Sequence, residues 1–251
     1  MELRTSRNSW SALYKGGSLA AAAVVAFIPL QTAIFAVWPP PTTVQGWFNL
    51  FGQSALVGLL DMDLLLLVDY LLMCVVVLAL YILLRRLAPV LMTVALAGQF
   101  LGAAAYFSSV TAFEMLALSR QYAAATDAAD QSSLVAAGQV LLATWQGTAF
   151  NLSYVLGGLV ILAITGALQH SRLFGRTIVY TGWVMGLMML VPPTVGPVGL
   201  YLSLGSLLPT ILWLVLVSRC LFVVSREEAT GALPKEPLWQ KAKPFEDISP
   251  F

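Results

Sequence analysis

The sequence contains few charged residues, which make up only 10% of its 251 positions, whereas about 25% is typical of soluble domains. Hydrophobic residues account for 59% of the chain. The formal net charge is only +1, and the basic residues form no stripe that could follow a phosphate backbone. This composition excludes a nucleic-acid-binding protein and predicts an integral membrane protein.

Residues that carry catalytic or metal chemistry are equally scarce. His170 is the only histidine, so a bis-histidine haem within this chain is excluded and a zinc site lacks ligands. Cys74 and Cys220 lie in apolar runs without metal-ligand spacing, and we interpret both as small buried side chains. There is no P-loop and no HExxH motif. The sequence identifies no catalytic residue, metal ligand or cofactor, and it favours a non-enzymatic role.

Long apolar runs are abundant. A membrane-spanning helix needs about 20 apolar residues, and the predicted spans are residues 17–37, 63–84, 89–116, 147–169, 176–191 and 198–224. The run at 133–169 is too long for one span, so its first part is assigned to an outer or interfacial extension. Residues 45–60, with Trp47 and Phe48 near their start, are predicted to form a helix in the outer interface, where aromatic rings are favoured. The expected fold is an all-α, six-helix transmembrane bundle.

The basic residues predict how the bundle is oriented. With six spans and the N-terminus inside, twelve of the thirteen basic residues lie on the cytoplasmic side, and only Arg120 lies outside. This distribution satisfies the positive-inside rule. We therefore expect a cytoplasmic N-terminal segment (residues 1–16), a membrane domain (17–224) and a polar cytoplasmic tail (225–251).

Four stretches of the chain resemble a known family. They are DMDLLLLVDYLLMCVVVLALYILLRRL, SRQYAAATDAADQSSLVAAGQVLLATWQGTAFNLSYVL, HSRLFGRTIVYTGWVMGLMMLVPPTVGPVGLYLSLGSLLPTILWL and VSRCLF. These stretches are similar to the prokaryotic multi-pass membrane proteins of domain-of-unknown-function family 4386, over roughly residues 15–225. The resemblance implies a helical fold in the plasma membrane of a prokaryote, and it implies no activity.

Three acidic residues lie close enough to the predicted spans to need a physical explanation. Asp63 begins the second span, Asp69 lies about two turns deeper, and Glu114 is near the outer end of the third. Asp61 and Asp63 are interpreted as caps of the second span, where free N–H groups favour a carboxylate. Glu114 is expected at the headgroup level. A charged group at bilayer depth costs about 2.5 to more than 10 kcal/mol, so Asp69 requires a partner.

Two interpretations of Asp69 are open. It is either a proton-relay or cation site, or a structural hydrogen bond between helices. Its candidate companions on neighbouring spans are Gln99, Gln146, Asn151 and Tyr154.

Glycines spaced four apart, such as Gly182 and Gly186, let helix backbones approach closely and are expected to support packing within the bundle.

The polar tail contains prolines and is too hydrophilic to fold alone. Three large apolar side chains are nevertheless spaced along it, at Trp239, Phe245 and Phe251. Such groups anchor protein interfaces, so we expect them to contact a partner in a larger membrane assembly.

The sequence leaves three functions open. The first is a non-enzymatic accessory or scaffold subunit of a membrane assembly. The second is a small transporter, or an ion or proton pathway, that uses Asp69. The third is a protein that binds a lipid, a quinone or a pigment, or an enzyme that acts on lipid. In each case the lipid bilayer is a partner and nucleic acid is not, and the oligomeric state is left undetermined.

Overall fold

The structure is a computed structural model that describes residues 8–171 and 174–230. All regular secondary structure in this part of the chain is helical. Its ten helices are α1 (Asn8–Val37), α2 (Val44–Gln53), α3 (Ala55–Asp61), α4 (Leu64–Leu84), α5 (Pro89–Ser109), α6 (Ala112–Ala124), α7 (Ala128–Trp145), α8 (Thr148–Leu168), α9 (Arg176–Met188) and α10 (Gly196–Thr230).

Five helical stretches among the described residues are long and apolar enough to cross a membrane, judged by length and composition alone. They are Trp10–Val37, Leu64–Leu84, Pro89–Ala124, Ala128–Leu168 and Gly196–Thr230. The all-helical architecture is therefore consistent with an integral membrane protein.

Helix α9, which corresponds to the predicted fifth span, is not among these stretches. It has 13 residues, which amount to about 20 Å at a rise of about 1.5 Å per residue. The hydrocarbon core of a bilayer is about 30 Å thick. The helix ends at Met188 instead of the predicted Val191, because Pro192 and Pro193 cannot continue it and disfavour helical geometry just before them.

The predicted interfacial helix at 45–60 is instead two helices, α2 and α3, joined at Ser54. The Ser54 hydroxyl accepts a hydrogen bond from Val57 N and so starts α3 as its N-cap. Trp47 is fully buried and Phe48 is nearly so. These rings therefore pack inside the protein and not against lipid, and the interfacial position of the segment stays a prediction.

The predicted third span, residues 89–116, is also divided. Helix α5 ends at Ser109, and α6 begins at Ala112. The hydroxyls of Ser108 and Ser109 donate to backbone carbonyls one turn earlier, a competition that weakens helical continuity. Thr111 then donates to the Leu141 carbonyl of α7. Helix α10 continues to Thr230, five residues beyond the predicted start of the polar tail at Ser225.

The chain forms two compact units. One comprises the described parts of residues 1–25, 72–100 and 155–251, and the other comprises residues 26–71 and 101–154. In the first unit, Ser18 and Ser218 each donate to the other's backbone carbonyl over 2.8 Å, which joins α1 to α10.

The second unit has its own apolar core, built by α2, α3, α6 and α7. Its fully or almost fully buried members are Val44, Trp47, Phe48, Phe51, Met62, Ala112 and Met115. Trp145, at the end of α7, packs edge-on against Trp47, with ring centroids 5.6 Å apart. This core fixes the end of α3 and the end of α7, and these two ends carry the residues of the candidate site.

Candidate functional site: buried carboxylates of the second unit

The turn between α3 and α4 carries two buried aspartates. Asp61 is the last residue of α3, and Asp63 immediately precedes α4. Asp63 has a φ of 67°, in the left-handed region that a short polar side chain tolerates better than most others do. The turn therefore places two carboxylates two residues apart, next to the apolar core of the second unit.

Asp61 is fully buried, and neither of its carboxylate oxygens has a hydrogen-bond partner. The interpretation of Asp61 as a cap of α4 is therefore wrong. Its position at the C-terminal end of α3 is also unfavourable for an anion, because the carbonyl end of a helix is negative. Burial raises the pKa of Asp61 to about 6.

Asp63 has one defined partner. The Trp145 indole Nε1 donates to Asp63 Oδ2 over 2.8 Å, so the end of α7 is tied to the start of α4. Burial raises the pKa of Asp63 to about 7. The Trp145 hydrogen bond opposes this rise, and the nearby charge of Asp61 adds to it. The Asp63 carboxyl group therefore holds its proton more readily than an aspartate in water does.

Tyrosines of α4 and α5 extend the site. The rings of Tyr70 and Tyr106 are stacked, with centroids 4.2 Å apart and planes 7° from parallel. The Tyr70 hydroxyl donates to Ser153 Oγ over 3.2 Å, and Ser153 donates in turn to the Phe150 carbonyl. The Tyr106 hydroxyl is buried and has no hydrogen-bond partner. It lies within electrostatic range of Asp63, Tyr70 and Asp69.

Asp69, the residue that the sequence singled out, lies in the same unit on α4. It is half-buried, and its Oδ1 is buried without a hydrogen-bond partner. We call Asp61, Asp63, Asp69, Tyr70 and Tyr106 the carboxylate cluster. Gln31 of α1 lies at its edge, where its amide donates to the Leu60 carbonyl next to Asp61 and its own oxygen is buried without a partner.

The structure places the proposed companions of Asp69 in different surroundings. Gln99 belongs to the other unit and donates to Cys74 Sγ over 3.8 Å. Asn151 donates to the backbone carbonyls of Gln146 and Gly147, at the junction of α7 and α8. Tyr154 lies within electrostatic range of Tyr70, a member of the carboxylate cluster.

Glu114 is exposed in the first turn of α6. It borders an open pocket of about 540 Å³ whose remaining walls are apolar. The other lining residues are Ala117, Leu118, Ala137, Val140 and Leu141. Glu114 thus lies on the surface of the α6–α7 hairpin.

The interface residues predicted in the tail, Trp239, Phe245 and Phe251, lie outside the described residues. The accessory-subunit function, which rested partly on them, stays a prediction. Within residues 8–171 and 174–230, no group of three or more His, Cys, Asp or Glu side chains is arranged to hold a metal ion.

The fold and the site together define a helical protein with apolar, membrane-compatible helices and a group of buried acids in one unit. No family model, no curated protein and no solved structure matches the chain. The resemblance to family 4386 therefore also stays a prediction.

Proposed function

We propose that this chain is a prokaryotic plasma-membrane protein of family 4386 that transfers protons through its carboxylate cluster. It has six membrane spans and both termini in the cytoplasm. Asp61 and Asp63 take up and release the protons, and Asp69, about two turns into α4, is the next acid along the path. The chain is accordingly a proton pathway or a small proton-coupled transporter.

The observation that carries this proposal is the environment of Asp61. An ionised carboxylate without hydrogen bonds costs several kcal/mol when it is removed from water. Asp61 is in that position, with both oxygens buried and unpartnered. Burial therefore shifts the Asp61 carboxyl group toward its protonated form, and it shifts Asp63, two residues away, in the same direction. Acids buried among apolar helices commonly serve as proton relays.

Tyr106 provides independent support. Its hydroxyl is buried without a partner, although a buried hydroxyl is normally hydrogen-bonded. Both a donor and an acceptor are therefore free within electrostatic range of Asp63 and Asp69. A hydroxyl in that position can pass a proton between carboxyl groups.

Proton flux in liposomes tests the proposal. The purified full-length protein is reconstituted with a trapped pH-sensitive dye, and a potassium gradient with valinomycin drives protons inward. We expect flux above that of protein-free liposomes. Asp63→Asn should reduce the flux at least tenfold, because an amide of the same shape cannot release a proton at neutral pH. Asp61→Asn should do the same.

Asp130→Asn is the matched control, since Asp130 is an exposed aspartate in the first turn of α7. Its flux should equal that of the wild type. Size-exclusion profiles and circular dichroism spectra establish that each variant is folded. A wild-type flux no higher than that of empty liposomes, or a well-folded Asp63→Asn variant with full flux, contradicts the proposal.

A further inference from the structure

A second polar site lies in the first unit, where α4 ends. Arg85 follows the last residue of α4 and is exposed. Its guanidinium carbon lies 6.0 Å from the centroid of the Trp10 ring of α1 and 5.8 Å from that of the Tyr81 ring of α4. Two aromatic rings from different helices thus hold one arginine head in place at the protein surface.

The rings contact the guanidinium but cannot accept strong hydrogen bonds from its five N–H donors. Among the described residues, no carboxylate or carbonyl oxygen accepts from the Arg85 head. Arg86, the next residue, is exposed as well. Tyr14 of α1 lies within electrostatic range of Arg85, Arg86 and Glu228, so one acid is also nearby. The two arginines together still leave the local charge positive.

We propose that Arg85 and Arg86, with Trp10 and Tyr81, bind the phosphate of an anionic phospholipid headgroup. Arg85 lies at the predicted cytoplasmic end of a span, where headgroup phosphates are found and where aromatic rings are favoured. A planar guanidinium matches two phosphate oxygens, and the flanking rings fix its orientation before the lipid binds. The inference does not depend on proton transfer by the carboxylate cluster.

Native mass spectrometry of the full-length protein in detergent measures this binding during a lipid titration. Phosphatidylglycerol, which is anionic, should bind more tightly than the zwitterionic phosphatidylcholine. Arg85→Gln should weaken phosphatidylglycerol binding about fivefold, the factor expected for one basic residue near the headgroups. Arg85→Lys keeps the charge but loses the planar fork. Its affinity for phosphatidylglycerol should therefore fall between that of the wild type and that of Arg85→Gln.

Arg176→Gln is the matched control. Arg176 is an exposed arginine in the same unit, at the start of α9, and is likewise predicted to be cytoplasmic. Its removal should leave the preference for phosphatidylglycerol unchanged. Equal affinity of the wild type for both lipids, or equal losses in the Arg85 and Arg176 variants, overturns the inference.

Two further outcomes are decisive. If inorganic phosphate at millimolar concentration displaces the lipid and binds as tightly, the site recognises free phosphate and the assignment to a lipid is wrong. If Arg85→Gln does not fold, the test of the inference uses Arg85→Lys alone. A folded Lys variant with wild-type affinity for phosphatidylglycerol shows that no planar fork is involved, which also contradicts the inference.

Discussion

Asp63 combines a left-handed backbone conformation with a buried carboxyl group, and each of these costs free energy. The Trp145 indole offsets part of the cost, since it donates a hydrogen bond to the carboxylate. The indole lies in turn against Trp47 in the core of the second unit. The protonation state of Asp63 is therefore linked to the packing at the end of α7.

Trp145→Phe tests that link at the residue scale. Phenylalanine keeps an aromatic ring against Trp47 but removes the N–H donor. The hydrogen bond favours the charged form of Asp63, so its loss should raise the pKa of Asp63 above its value of about 7. The expected rise is about one pH unit, the equivalent of about 1.4 kcal/mol. The infrared carbonyl band of the protonated acid, followed from pH 4 to pH 10, measures it.

Asp63→Asn identifies the band, because it removes the Asp63 contribution from the spectra. Trp183→Phe, at a partly exposed tryptophan of α9, controls for the general effect of losing an indole. A Trp145→Phe midpoint equal to or below that of the wild type means that the indole does not stabilise the charged carboxylate.

The sequence was informative about some site residues and uninformative about others. Aspartates in an apolar context can be recognised from their cost, so Asp63 and Asp69 were found. Asp61 was assigned to the wrong role, because sequence spacing does not show that it ends one helix instead of starting the next. Tyr106 and Trp145 were missed, since a buried tyrosine or tryptophan is typical of any membrane helix. Only the tertiary structure shows which polar atoms lie beside an acid.

At the scale of helices, apolar length predicted the positions of α4 and α8 within one residue or so at each end. The breaks at Ser54 and after Ser109 were not predicted. Both depend on serine hydroxyls that bind backbone groups, a local effect of about 1 kcal/mol that hydropathy does not register. The Ser54 cap is the more recognisable of the two, because serine is a favoured residue at the start of a helix.

The packing of α9 follows from its two glycines. A methyl group added at Gly182 would collide with Thr165 of α8 and would approach Trp213 Nε1 of α10 to 3.1 Å. A methyl group at Gly186 would lie 2.7 Å from a side-chain carbon of Leu162. The glycines thus let α9 pack closely against α8 and α10, in agreement with the expectation that this spacing supports packing within the protein.

Gly182→Ala should therefore destabilise the protein by about 1–3 kcal/mol, the usual cost of overpacking. Its midpoint of unfolding, measured in detergent by circular dichroism, should fall. Gly52→Ala is the control, because an added methyl group there meets no atom within 4 Å. Alanine at position 52, an exposed position of α2, should raise stability by up to about 1 kcal/mol. Equal stability of the two variants would show that α9 is not closely packed in solution.

At the scale of the whole molecule, the number of membrane crossings depends on whether α9 crosses the bilayer. Five helical stretches are long enough to cross a membrane, and α9 is not one of them. An odd number of crossings would place the two ends of the chain on opposite sides. With the N-terminal end inside, Arg219 and Arg226, near the end of α10, would then lie outside, against the positive-inside rule. The six crossings proposed above, with α9 as a short span, would place both arginines inside instead.

Single cysteines in a variant lacking Cys74 and Cys220 distinguish the two topologies in intact cells. The positions are Ala123, Val195 and Ala229, all exposed in the structure. With six crossings, an impermeant thiol reagent should label cysteines at Ala123 and Val195 but not at Ala229. With five crossings and α9 on the cytoplasmic side, Ala123 and Ala229 should react and Val195 should not. Permeabilised cells, in which all three should react, provide the control. Labelling at Ala229 but not at Val195 would rule out the six-span topology proposed here.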